Sequence, residues 1–162
     1  MRFLKIFLLI ISFAVLGLGL YLFSIDIMAK QQSGTPISFE KYFHVVIIVA
    51  SAVLNIMYHV KSFRFYMRKE KQQLDKKLPK IFWIGAICFS VYLLYVSGTT
   101  LYTYILFFKN NVISEAIYVV LIFLVPALLG FLEVSILKNR IKRLKAERDT
   151  KDEIGSIGNS NL

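Results

Sequence analysis

Residues 61–80 read KSFRFYMRKEKQQLDKKLPK and carry eight Lys or Arg against two acids, Glu70 and Asp75. This basic stretch separates two long apolar runs. Loops between membrane spans keep an excess of Lys and Arg on the cytoplasmic side. We therefore predict that residues 61–80 form a cytoplasmic loop, and this assignment sets the orientation of the spans on either side of it.

The composition is typical of a small membrane protein. The chain has 162 residues, of which 57% are hydrophobic and 15% aromatic, and this is too apolar for an ordinary soluble domain. The net charge of +10 is concentrated beside the apolar runs, where topology accounts for it, so we expect no nucleic-acid partner. The single cysteine, Cys88, excludes an internal disulfide framework.

Four apolar runs predict an all-α integral membrane protein, with four transmembrane helices in an antiparallel bundle. At about 1.5 Å per residue, each run is long enough to cross a hydrocarbon core about 30 Å thick. The first run exceeds the apolar region of a signal peptide, so we expect an uncleaved anchor. The short turn between the last two runs makes their helices antiparallel neighbours. The predicted spans are residues 3–25, 42–60, 81–108 and 112–137.

The distribution of basic residues predicts that both termini are cytoplasmic. Of 20 Lys and Arg, two lie at the start of the first span, eight in residues 61–80 and seven in residues 138–151. This pattern favours a bacterial inner (cytoplasmic) membrane protein. Residues 26–41 are predicted to form a polar outer loop. After the fourth span we expect a basic helical extension over residues 138–153 and a disordered tail over residues 154–162.

Polar residues recur along one face of the second span and one face of the third. Spacings of three, four and seven residues place them on one stripe of each helix. We expect the stripes to face each other, with Asn55 near Tyr95, because polar groups in lipid lack hydrogen-bond partners. The stripes could form a polar path or only interhelical hydrogen bonds. The candidate polar bundle interior is Ser51, Asn55, His59, Tyr92, Tyr95, Thr99 and Glu133.

Glu133 is the acid that lies well inside an apolar run. A carboxylate at the bilayer centre costs about 2.5–3.5 kcal/mol on insertion scales and marks a candidate functional site. Glu133 lies near the predicted cytoplasmic boundary, and so does His59. We predict that the two pair if their helices adjoin. The alternative is a structural carboxylate that reaches the interface or pairs with a base there.

Two basic segments are candidate surfaces for anionic lipid headgroups or for a partner protein. Each Lys or Arg near anionic lipid contributes about 1 kcal/mol of binding free energy. A solvated loop that only sets the topology is the alternative for residues 61–80. The candidate residues are Lys61, Arg64, Arg68, Lys69, Lys76, Lys77, Arg140, Lys142, Arg143 and Lys145.

The sequence contains none of the common catalytic, nucleotide-binding or zinc-binding motifs, so we expect no enzyme, no cofactor and no metal. The favoured function is non-catalytic binding of another membrane protein, as an accessory subunit or as an immunity or exclusion protein. The expected partner is another membrane protein or further copies of this chain. The alternative is a small carrier, channel or lipid flippase that works as an oligomer. In overall plan the chain resembles the four-span immunity proteins that protect bacteria from pore-forming bacteriocins and the exclusion proteins of conjugative plasmids. No motif carries this resemblance.

Overall fold

The computed structural model describes residues 2–34, 39–66, 78–107 and 113–159, and the side chains of residues 2–34, 42–66, 78–106 and 117–150. Nearly all of these residues are helical. The elements are α1 (Arg2–Ser33), α2 (Phe39–Ser62) with a 3-10 turn at Phe63–Tyr66, α3 (Lys80–Phe107) and α4 (Ile113–Asn159). Within this described part, four helices are long and apolar enough to cross a membrane, as the apolar runs predict.

Helix α1 continues beyond the predicted first span and ends at Ser33. An ion pair one turn apart, between Lys30 Nζ and Asp26 Oδ2 at 2.6 Å, supports the additional turns. Gly34 follows with a φ of 65°, and its N–H donates to the carbonyl three residues earlier at 3.4 Å. A glycine in this left-handed conformation is a common helix stop. The first half of the predicted loop over residues 26–41 is therefore helical.

Helix α4 runs for 47 residues through the fourth apolar run and the basic extension, with Pro126 inside it. At about 1.5 Å per residue it is roughly 70 Å long, more than twice the thickness of a hydrocarbon core. We predicted disorder over residues 154–162; α4 reaches Asn159, and residues 160–162 lie outside the described part. The basic extension before residue 154 is rich in Lys, Arg, Glu, Ala and Leu, which are strong helix formers. A helix that has already formed elongates easily.

The helices approach closely at two glycines. A Cβ atom on Gly85 of α3 would overlap the Cβ atom of Leu54 in α2. A Cβ atom on Gly130 of α4 would overlap the hydroxyl of Ser90 in α3. Because small residues let helix backbones approach in a membrane, these positions set the spacing of the α2–α3 and α3–α4 interfaces.

Two clusters of buried apolar residues hold the helices together. One contains Ala52, Phe89, Leu93 and Ala127 and lies between α2, α3 and α4. The second joins the end of α2 and the 3-10 turn to the beginning of α3 and to α4. Its buried members are Tyr58, Phe65, Tyr66, Phe82, Ala86 and Leu137. The second cluster surrounds the candidate site.

Candidate functional site

A buried ion pair joins the beginning of α1 to α4. Lys5 Nζ lies 2.5 Å from Glu133 Oε1, and the two side chains are 0% and 1% exposed. Removing one partner of such a pair leaves a charge that has lost both water and its counter-ion. The pair therefore ties the first turn of the first helix to the last helix in the chain.

Further polar contacts come from α2 and from the turn that follows it. Lys5 donates to Ser62 Oγ at 2.5 Å, and the Tyr58 hydroxyl donates to Glu133 Oε2 at 2.7 Å. Lys5 Nζ also lies 5.1 Å from the ring centroids of Tyr58 and Tyr66, a distance typical of cation–π contacts. We call Lys5, Tyr58, Ser62, Tyr66 and Glu133 the buried polar cluster.

Two arginines hold the 3-10 turn over this cluster. The Arg2 guanidinium donates two hydrogen bonds to the Tyr66 carbonyl, at 2.7 and 3.1 Å. Arg140 Nε donates to the Phe65 carbonyl at 2.9 Å, and the Arg140 guanidinium lies 4.8 Å from the Tyr66 ring centroid. Carbonyls at a helix end lack intrahelical partners. The two arginines supply those partners from α1 and α4, so they position Tyr66 against Lys5.

His59 is buried, but the predicted pair between His59 and Glu133 is wrong. In the described part of the chain no hydrogen bond joins the two residues, and His59 Nδ1 has no hydrogen-bond partner. The hydroxyl of Tyr58 binds the carboxylate instead. Neighbouring residues on a helix point about 100° apart, so only one of Tyr58 and His59 can face Glu133 directly. The His59 ring packs edge-on against Tyr58, with the centroids 5.2 Å apart.

The polar stripe of α2 faces α1 rather than α3. Asn55 Nδ2 donates to Ser12 Oγ at 2.8 Å, and Ser12 Oγ donates to the Leu8 carbonyl at 2.7 Å. Asn55 and Ser12 are both buried. Ser51 is also buried and donates to a carbonyl of its own helix at 2.9 Å. The Asn55 amide, which we predicted to face the third span, therefore has its partner on the first helix.

Two members of the polar stripe of α3, Tyr95 and Thr99, face outward instead of facing α2. Tyr95 is 66% exposed, and the exposed Thr99 donates to the Tyr95 carbonyl at 3.0 Å. The prediction that Asn55 lies near Tyr95 in the interior is therefore wrong. A threonine can satisfy its hydroxyl within its own helix, and a tyrosine carries a large apolar ring, so both tolerate an outward position. Tyr92 is half-buried.

The predicted basic surface is only partly within the described residues. Lys61, Lys142, Arg143 and Lys145 are exposed, whereas Arg64 and Arg140 are half-buried. Arg140 binds the 3-10 turn and is not available to a ligand. The other predicted members, Arg68, Lys69, Lys76 and Lys77, lie outside the described part.

Sequence reasoning missed Lys5, Ser12, Ser62 and Tyr66. Lys5 was interpreted only as a topology signal, although it lies inside the first apolar run. A signal was present: Lys5 and Glu133 have opposite charge and lie near the same predicted boundary. Two charges buried at the same depth are expected to pair, because each alone is costly.

The buried polar cluster is closed. Its charged atoms bind one another, and its five residues are at most 5% exposed. An ion or substrate would reach Glu133 only after the ion pair separates. The arrangement is therefore suited to holding α1, α2 and α4 together. No protein-family model, curated protein or solved structure matches this chain, so its own contacts carry the functional argument.

Proposed function

We propose that this chain is a non-catalytic multi-pass protein of the bacterial inner membrane that binds another membrane protein through the cytoplasmic part of α4, residues 138–159. The proposal includes an antiparallel bundle with both termini in the cytoplasm. The observation that carries it is the unbroken course of α4 from its apolar part into its basic part.

A helix that spans a bilayer is tilted by about 20° on average, whereas a helix on the headgroups lies in the membrane plane. Changing from one direction to the other requires a break in the helix. Helix α4 has none after its apolar part, and Pro126 lies well before residue 138. Residues 138–159 therefore leave the bilayer along the axis of the span and extend roughly 33 Å from it. This course favours a helix that binds a partner protein over a helix that lies on the lipid headgroups.

Beyond its first turns the described part of the extension is exposed to solvent. Leu137 is buried and Ile141 packs against the apolar cluster around Tyr58, but residues 145–150 are all exposed. Most helical stability in proteins comes from packing an apolar face, and short isolated helices are marginal in water. A partner helix or groove would supply that packing.

The exposed charges indicate the chemistry of the partner. Lys142, Arg143 and Lys145 form a basic patch near the bilayer, and Leu144 lies among them. An acidic segment near the membrane surface of a partner would be steered to this patch. The closed buried polar cluster also supports partner binding over a carrier, since Glu133 is already neutralised by Lys5.

A photoreactive amino acid at Lys142 should crosslink in cells to one defined membrane protein. The same amino acid at Ile84, which is 58% exposed on the apolar surface, should give lipid adducts only. The double variant Arg143→Glu/Lys145→Glu should abolish the protein adduct, because it replaces attraction to an acidic partner by repulsion. Lipid adducts alone at Lys142, in wild type as well, would contradict the proposal.

The proposed topology has its own test. In a Cys88→Ser background, Gln32→Cys should react with a membrane-impermeant maleimide in intact cells, whereas Ala146→Cys should react only after the membrane is opened. Both positions are exposed, so access to the reagent depends on the side of the membrane. The reverse labelling pattern would overturn the assignment of both termini to the cytoplasm.

A further inference from the structure

A cavity of about 470 Å³ lies between the helices at the end of the bundle away from the buried polar cluster. Side chains of all four helices line it, and the lining is apolar apart from Tyr92 and from one end, where Asp26 and Tyr42 lie. Leu18 and Leu22 form part of the wall and are 59% and 63% exposed. The cavity is therefore reached sideways, along the outer face of α1.

The length of the cavity matches one leaflet of a bilayer. On α1 its wall extends from Val15 to Asp26, which is about 16 Å along a helix axis. Half of a hydrocarbon core is about 15 Å thick. The polar end of the cavity therefore falls at headgroup depth if the apolar end lies near the middle of the bilayer.

The shape of the cavity suits a narrow apolar occupant. Its wall on α1 is about 16 Å long, and the exposed Leu18 and Leu22 lie along its open side. An extended hydrocarbon chain is far thinner than a helix, so it can enter from this side and lie along the cavity.

The polar end offers both signs of charge. Lys30 Nζ lies 2.6 Å from Asp26 Oδ2 and 2.6 Å from the Tyr42 hydroxyl, and that hydroxyl donates to Asp26 Oδ2 at 2.8 Å. Asp26 is 49% and Lys30 23% exposed at the side chain, so both are accessible. A headgroup that carries an ammonium and a phosphate complements this arrangement, with the ammonium at Asp26 and the phosphate at Lys30.

We propose that this cavity binds one acyl chain of an amine-bearing zwitterionic phospholipid, whose headgroup contacts Asp26 and Lys30. The site is distinct from the partner surface on α4 and does not depend on it. Because the cavity opens along α1 and ends in a matched polar group, it holds a lipid from one leaflet as an annular ligand of defined headgroup.

Two glycines of α1 provide a matched test. A Cβ atom at Gly17 or at Gly19 would meet no other atom within 4 Å, but only Gly19 lines the cavity. In native mass spectrometry from nanodiscs of mixed phosphatidylethanolamine and phosphatidylglycerol, wild type should retain one phosphatidylethanolamine. Gly19→Phe should lower that occupancy by roughly tenfold, Gly19→Leu by less, and Gly17→Phe should leave it unchanged.

A second variant tests the headgroup. Asp26→Asn keeps the shape of the side chain and should abolish the preference for phosphatidylethanolamine over phosphatidylglycerol while one lipid stays bound. Helical circular dichroism and a monodisperse elution profile confirm that each variant is folded. Equal lipid occupancy in folded Gly19→Phe and Gly17→Phe would overturn the proposal, and so would a bound peptide or second copy of the chain in place of lipid.

Discussion

Lys5→Met should lower the free energy of unfolding in detergent micelles by about 3–5 kcal/mol, the usual cost of removing one partner from a buried ion pair. The substitution leaves the Glu133 carboxylate buried with the Tyr58 hydroxyl as its remaining donor. It also removes the contact of Lys5 with Ser62. Thermal or denaturant unfolding, followed by helical circular dichroism, measures the loss.

The ion pair offers a double-mutant control. The double variant Lys5→Met/Glu133→Leu should recover most of the lost stability, because apolar groups of similar size often replace a buried pair at little cost. The exposed pair in α1 provides a second control: Asp26→Asn should change stability little, since solvent screens the contact with Lys30 and the amide oxygen can still accept from the Tyr42 hydroxyl. Equal losses for Lys5→Met and Asp26→Asn would refute a special role for the buried pair.

The ion pair links the first and the last of the four described helices, so it constrains the order of assembly. Lys5 is in the first turn of α1, whereas Glu133 lies in the last helix. The contact can form only after α4 has been synthesised and inserted. Until then Lys5 carries a charge without its counter-ion, which favours keeping the start of α1 at the membrane surface. The ion pair therefore forms only after all four described helices have been inserted.

The helices were predictable because their signal is physical and strong. A bilayer requires runs of about 20 apolar residues whose backbone groups are satisfied internally, and such runs are visible in any sequence. Helix ends were less predictable, since polar residues can continue a helix as readily as end it. Helix α1 ends just before Gly34, whereas α4 continues past Gly155, so glycine stops one helix and not the other.

The site was predicted in part. Glu133 was singled out because a carboxylate in an apolar run is costly, and the structure buries it. Its partner was not predictable from depth alone, because His59, Tyr58 and Lys5 all lie near the same level. The choice depends on which helix faces α4 and on the rotation of each helix about its axis. A regular stripe of polar residues in the sequence does not show how a helix is rotated about its axis. Tyr95 belongs to such a stripe and yet faces outward.

Gly85→Ala should destabilise the protein by about 1–3 kcal/mol, the usual cost of overpacking, because the new methyl group would overlap the Cβ atom of Leu54 and push α2 away from α3. Gly98→Ala in the same helix is the matched control. A Cβ atom there meets no other atom within 4 Å, so the gain of about 1 kcal/mol in helix propensity should leave that variant as stable as wild type or more stable.

The identity of the clashing atom makes this prediction specific. Leu54→Ala keeps the Cβ atom, so Gly85→Ala should cost as much in that background as in wild type. Leu54→Gly removes the atom, so there the added cost of Gly85→Ala should fall to near zero. A double-mutant cycle of thermal unfolding in one detergent measures both couplings. If Leu54→Ala relieved the cost as well as Leu54→Gly, the clash would lie with the outer part of the leucine side chain, and the close approach of α2 and α3 at Gly85 would be refuted.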